Sequence, residues 1–127
     1  MTETATAVAD SLALDQVRRF YQLVDANDAA GVADLYSVDA VYHRPGYEPM
    51  RGREEVFWFY HRDRIIASGA HQVQLAVADE RQAAVHGRFT GRLHDGGTVD
   101  LRFADFFSFD ETGLICERRT FYFTHTV

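Results

Sequence analysis

The stretch 71–125, HQVQLAVADERQAAVHGRFTGRLHDGGTVDLRFADFFSFDETGLICERRTFYFTH, decides the fold. It divides into four strand candidates, 71–78, 83–94, 98–109 and 114–125, rich in β-branched and aromatic residues. Between them stand AspGluArgGln at 79–82, AspGlyGly at 95–97 and AspGluThrGly at 110–113, each a turn signal. Nothing with helical period interrupts the series. The stretch therefore predicts an antiparallel meander.

Upstream the period changes from two to three and four. Val17, Phe20, Tyr21 and Val24 paint one face of a helix over 15–25, which ends near Asn27. Asp28 is placed to N-cap a short second helix carrying Val32, Leu35 and Tyr36, closed by residues 37–39. A short strand pair follows, 40–44 and the return near Arg51, and then a third helix over 54–68 with Gly69 as its stop. The fold class is α+β: three N-terminal helices packed across a strongly curved, mainly antiparallel sheet that encloses a pocket. Residues 1–11, MTETATAVADS, are small and polar with no positive region ahead of an apolar run. They read as a flexible tail rather than a secretory signal, and 12–127 reads as a single domain.

Composition narrows the partners. In 127 residues, 46% hydrophobic, there is core for one domain and no room for a separate cofactor domain. Thirteen basic against nineteen acidic residues give a net charge of -6, which argues against nucleic acid. No apolar run approaches the roughly 20 residues of a membrane helix. The single cysteine, Cys116, cannot form an internal disulfide, which fits a reducing cytoplasm. Six histidines, at 43, 61, 71, 86, 94 and 125, show no close ligand spacing, so no metal site is expected. There is no GxGxxG after a strand, and a chain without lysine has no lysine-bearing phosphate loop.

Two segments, VRRFYQLVDANDAAGVADLYSVDAVYHRPGYEPMRG at 17–52 and VDLRFADFFSFDETGLICERRTFYF at 99–123, resemble the SnoaL-like, ketosteroid-isomerase-like branch of the nuclear-transport-factor-2-like superfamily. The resemblance implies a cone whose catalytic groups come from the first strand and the long strands. It places Tyr42 and Arg44 inward and His43 outward. Arg44 stands where ketosteroid isomerases carry an aspartate base, and an arginine does not remove a proton at neutral pH. His86, Arg88 and Thr90 fall inward at positions resembling the arginine and aspartate of limonene epoxide hydrolases. Asp105, between Phe103 and Phe107, resembles the acid that donates to the oxyanion in ketosteroid isomerases. Glu117, Arg119 and Phe121 fall inward on the last strand, with Cys116 facing away. On the first helix, spacing favours Phe20 over Tyr21 at the place of the isomerase's oxyanion tyrosine.

The expected catalytic set is His86, Asp105, Tyr42 and Arg44. Substrate would be bound by Arg88, Glu117, Arg119, Phe20, Trp58, Phe59, Phe103 and Phe107. So many ionisable groups around one cavity require internal pairs or a charged ligand. His86 serves as general base or acid, and Asp105, kept protonated by apolar neighbours, as oxyanion donor, a role described for ketosteroid isomerase. An arginine stabilises the enolate or carboxylate. The bland readings are a cross-strand pair of Asp105 with Arg88 or Arg119, and a hydrogen-bonded structural His86. A one-residue slip in register would turn the inward set to solvent, although Gly87 and Gly91 on the opposite face favour the register taken.

The functional expectation is a cofactor-independent isomerase or cyclase acting by acid/base chemistry on a small hydrophobic carbonyl or epoxide compound. The alternatives are a non-catalytic binding protein for an acidic metabolite, an epoxide-hydrolase-like enzyme, and an assembly domain with a filled cone. Phe106 and Tyr122, read as outward aromatics, imply an apolar outer sheet face. A homodimer through that face would cover them, as the resemblance also implies.

Overall fold

The computed structural model describes residues 2–123, and the side chains of 12–123. The end of the last expected strand, at 124 and 125, lies outside the described residues, as do the side chains of the expected tail.

Helix α1, Thr2–Asp25, begins well before residue 15, and it buries Val17, Phe20, Tyr21 and Val24 as their spacing requires. It ends in a left-handed residue, Asn27, with φ of 58°. There the Asp28 N–H donates to the Leu23 carbonyl and the Asn27 N–H to that of Val24, each at 3.0 Å, satisfying carbonyls the helix leaves open. Asp28 then caps α2, Ala29–Asp34, its carboxylate accepting from the Gly31 N–H at 2.9 Å.

Strand β1, Tyr36–His43, starts four residues earlier than expected and absorbs residues 37–39, the expected close of α2. It pairs antiparallel with the short β2, Met50–Arg51. Helix α3 is only Arg53–Trp58, continued by one π-helical turn, Phe59–Asp63. The expected third helix over 54–68 is therefore cut short. Ile66 to Gly69 belong instead to β3, Ile66–Ala78, which pairs along its length with β4, Gln82–Leu93. Gly69 is not a helix stop: it lies opposite Gly91, and a Cβ there would come 2.3 Å from the Phe89 ring. Strands β5, Thr98–Phe109, and β6, Ile115–Tyr122, complete the meander.

The sheet has six strands in the order β2-β1-β6-β5-β4-β3, all neighbours antiparallel except β1 with β6. It is mixed and open. The helices cover one face, so alternation sorts each strand into an inner row packed under α1 and an outer row. On β5 the inner row is Phe103, Asp105 and Phe107, as expected. On β4 it is Ala83, Val85, Gly87 and Phe89, so His86, Arg88 and Thr90 point outward, one register away from expectation. Gly87 does lack a side chain because a partner approaches closely, but the approach is on the inner face. A Cβ there would lie 2.1 Å from the Gln72 carbonyl oxygen of β3.

On β6 a bulge decides the faces. Ser108 pairs with Glu117 and Phe109 with Ile115, which leaves Cys116 as the extra residue. Ile115 is inward, but after the bulge the inner row becomes Arg118, Thr120 and Tyr122. Glu117, Arg119 and Phe121 consequently lie on the outer side, against expectation, and Tyr122 is inward rather than outward. Phe106 is outward as expected.

Candidate functional site

The interior polar site is built around Asp105, 1% exposed at the middle of β5. Strand pairing puts Val85 and Thr120 directly beside it, and Arg118 two residues along β6. Its carboxylate accepts two hydrogen bonds from Arg118, Nε at 3.1 Å and Nη2 at 2.9 Å, one from the Tyr21 hydroxyl at 2.6 Å, and one from Thr120. Burial pushes this carboxyl up, but the Arg118 charge and the donated hydrogen bonds outweigh it and hold its pKa below the usual range. Asp105 is thus an ionised, fully engaged acceptor. The expected protonated donor is not what this geometry supports, because all its neighbours donate.

The rest of the network has forced directions. Thr120 gives its proton to Asp105, so the Tyr42 hydroxyl, 2.9 Å away, donates to Thr120. Arg44 in turn donates to the Tyr42 oxygen at 3.1 Å. Arg118 also donates to the Tyr60 hydroxyl at 2.7 Å and lies between the faces of Phe20 and Tyr42, 4.5 and 4.3 Å from their ring centres. Of the expected set, Tyr42, Arg44, Phe20, Phe59, Phe103, Phe107 and Asp105 come together in the interior. Phe59 packs on Tyr42 and under Arg44, and Phe107 packs on Phe20.

The others do not. His86 is exposed on the outer face. Arg88 makes a bidentate pair with Asp100, both solvent-exposed. Glu117 contacts His43 at 3.3 Å and Arg119 at 3.7 Å outside the cone. Trp58 is 39% exposed, with the Arg62 guanidinium 4.9 Å from its ring centre. In place of the expected oxyanion position at Phe20, Tyr21 is the helix residue whose hydroxyl enters the network.

Beside the network lies a small hollow of about 20 Å³, walled by Arg44, Tyr60, Arg64, His71, Phe89, Phe103, Asp105, Arg118 and Tyr122 among others. His71 lies on β3, and its spacing from the other histidines points to no role. Its Nδ1 lies 2.6 Å from one Asp25 oxygen, and its backbone N–H donates to the other at 2.9 Å. With the Nδ1 proton donated to that carboxylate, Nε2 is the ring nitrogen left to accept, and the side chain lines the hollow. Tyr21, Phe89 and Phe103 pack around the imidazole at 4.8, 4.6 and 5.3 Å between ring centres. A carboxylate behind an imidazole that faces a cavity is an arrangement able to move protons. The signal available in sequence was slight, since 46 residues separate the two partners.

Helices laid across one face of an open mixed sheet, with a polar hollow between, define an α+β cone of the ketosteroid-isomerase-like kind. The family model of the SnoaL-like domain matches residues 17–118, and the chain belongs to that family. Among solved structures it is similar to an LEH-like epoxide hydrolase of M. tuberculosis, at 18% identity and TM-score 0.77, covering 89% of this chain and 84% of that one. SalBIII, an epoxide hydrolase/cyclase-like enzyme in pyran ring formation of salinomycin, is similar at 16% identity and TM-score 0.76, covering 87% and 89%. A Catenulispora acidiphila DSM 44928 protein with a ketosteroid isomerase-like fold matches at 14% identity and TM-score 0.75, covering 84% of each chain. No curated protein matches this chain. Among the described residues no helix is long and apolar enough to cross a membrane.

Proposed function

We propose that this chain is a cofactor-independent isomerase or cyclase that works by acid/base chemistry on a small hydrophobic carbonyl or epoxide compound, with His71 as the proton-transfer group. The observation that carries this reading is the 2.6 Å contact between His71 Nδ1 and Asp25 at the wall of an interior hollow. With a carbonyl substrate, Nε2 takes a proton from the carbon beside the carbonyl, and Asp25 stabilises the imidazolium that forms. The electron pair moves onto the carbonyl oxygen, where Arg44 and the Tyr122 hydroxyl offer positive charge and a donor. Where a carbon–carbon double bond adjoins that carbon, the electron pair returns to re-form the carbonyl, the double bond shifts into conjugation and the imidazolium gives the proton to its far carbon, so no further reactant is consumed. Asp105 and Arg118 hold Tyr42, Thr120 and Tyr21 in place around this site.

The test is deuterium uptake from D2O at the carbon beside the carbonyl in a panel of cyclic and aryl ketones. His71→Asn should slow uptake by about 10²- to 10⁴-fold, the usual contribution of a general base, with the melting temperature nearly unchanged. No uptake by the unaltered protein, with a ligand recovered unchanged, favours the binding-protein reading. Uptake that survives His71→Asn removes His71 from its role.

The outer sheet face supports a homodimer as a second part of the proposal. Phe106 and Phe121 make an exposed edge-to-face pair at 5.8 Å, continued toward the sheet edge by exposed Leu75 and Val77. A dimer mass in light scattering that falls to the monomer in Phe106→Arg supports it; a monomer in the unaltered protein removes it.

A further inference from the structure

The hollow beside Asp105 is too small for a substrate as it stands, since about 20 Å³ accommodates little more than one water. A second, outer hollow of about 170 Å³ lies next to it, and Tyr60, Arg64 and Ile66 wall both. Arg64 follows the π-helical turn and is 8% exposed. Its Nη2 donates to the Asn27 side-chain oxygen at 2.8 Å, and its guanidinium sits 5.3 Å from the Tyr60 ring centre. A neutral amide and a ring face hold this cation in the partition.

Basic side chains outnumber acidic ones around the outer hollow. The outer hollow is lined by His61, Arg62, Arg64 and His94, with no Asp or Glu among the described residues, though Arg62 pairs with its neighbour Asp63. On the inner side Asp105 is already engaged by Arg118, and Asp25, which contacts His71, is the other carboxylate acting on Arg64. Burial above all, and also the nearby Arg44 charge, lower the pKa of the Arg64 guanidinium. In a chain of net charge -6, Arg64 is thus a buried cation at the wall shared by the two hollows.

We propose that the substrate carries a carboxylate, which enters through the outer hollow, draws Arg64 away from Asn27 and is held by Arg64. This rests on reading the inner hollow as the substrate site, and it names the substrate class. Swinging Arg64 outward joins the two hollows and gives an aryl or cyclic body a place against Phe89, Phe103, Tyr60 and Tyr122.

Benzoate and its neutral counterpart benzamide are the probes, titrated calorimetrically into the full chain. Benzoate is expected to bind at least about tenfold more tightly than benzamide, and Arg64→Gln to remove that preference, as loss of a hydrogen bond to a charged group does. Asn27→Gly keeps the left-handed conformation and releases Arg64, so it should strengthen benzoate binding several-fold, a change that mere structural damage does not produce. Arg88→Gln, on the outer sheet face, should leave benzoate affinity within about twofold. Equal affinity for the two probes, binding of neither, or a preference that persists in Arg64→Gln overturns the inference. Should benzoate fail while His71→Asn still abolishes deuterium uptake from neutral ketones, this inference falls and the proposed function stands. Benzoate binding with uptake indifferent to His71 has the opposite meaning.

Discussion

Two aspartate–arginine pairs lie on opposite faces of the same sheet. On the outer face Arg88 grips Asp100 through Nε and Nη2; on the inner face Arg118 grips Asp105 through the same two nitrogens. The residue types and the fork geometry are alike, and the surroundings differ. Arg88 and Asp100 have side chains 47% and 57% exposed, whereas those of Arg118 and Asp105 are 4% and 1% exposed. Outside, water solvates either partner alone, and the pair adds little. Inside, neither charge has an alternative, so the pair must be complete and every remaining lone pair and proton must find a partner. Tyr21, Thr120, Tyr42, Tyr60 and Arg44 are those partners, and a polar network arises on one face alone.

Breaking the inner pair should have the largest effect. Asp105→Asn leaves Arg118 buried without its counter-ion and should cost about 3 to 5 kcal/mol in urea unfolding. Asp100→Asn, the matched change outside, should leave the midpoint where it is. Equal costs for the two would refute the argument from burial. The same comparison has a pH signature. The folded state holds the Asp105 proton more weakly than the unfolded chain does, because its pKa is lowered. Its contribution is therefore complete above about pH 4 and is lost as pH falls through the folded-state value. The stability gap between the unaltered protein and Asp105→Asn should narrow in acid, and a gap that widens there would contradict an ionised Asp105.

Tyr21→Phe removes one charged hydrogen bond while keeping the ring, and about 1.5 to 3 kcal/mol should be lost. Gly87→Ala tests the closeness of the inner face, where β3 leaves 2.1 Å between a new Cβ and the Gln72 carbonyl oxygen. Such overpacking should cost about 1 to 3 kcal/mol by chemical denaturation. Arg88→Gln sits at the bottom of the series, with no shift in melting temperature expected, and a clear loss would give the outer pair a structural role after all.

The element order, the meander, the Asp28 cap and the inner row of β5 were legible in the residues, because each depends on neighbours a few positions apart. So was the inner row of β4: Ala83, Val85 and Phe89 alternate with His86, Arg88 and Thr90, and hydrophobic alternation alone separates them. A register set by resemblance instead put His86 in the site. On β6 no local pattern would have served. The alternation from Ile115 leads to Glu117 and Arg119, and the bulge at Cys116 transfers the inner row to Arg118 and Thr120.

The chain by itself determined which segments are helical or extended, and that one face of a sheet would be apolar and aromatic, since periodicity and turn residues act locally. Only the tertiary structure decided which arginine of the Arg118-Arg119 pair is buried, and which histidine stands before a carboxylate. A bulge exists only relative to a partner strand, and His71 meets Asp25 only because β3 curls against α1. These are contacts between residues distant in the chain, chosen by what the assembled interior can solvate and fill.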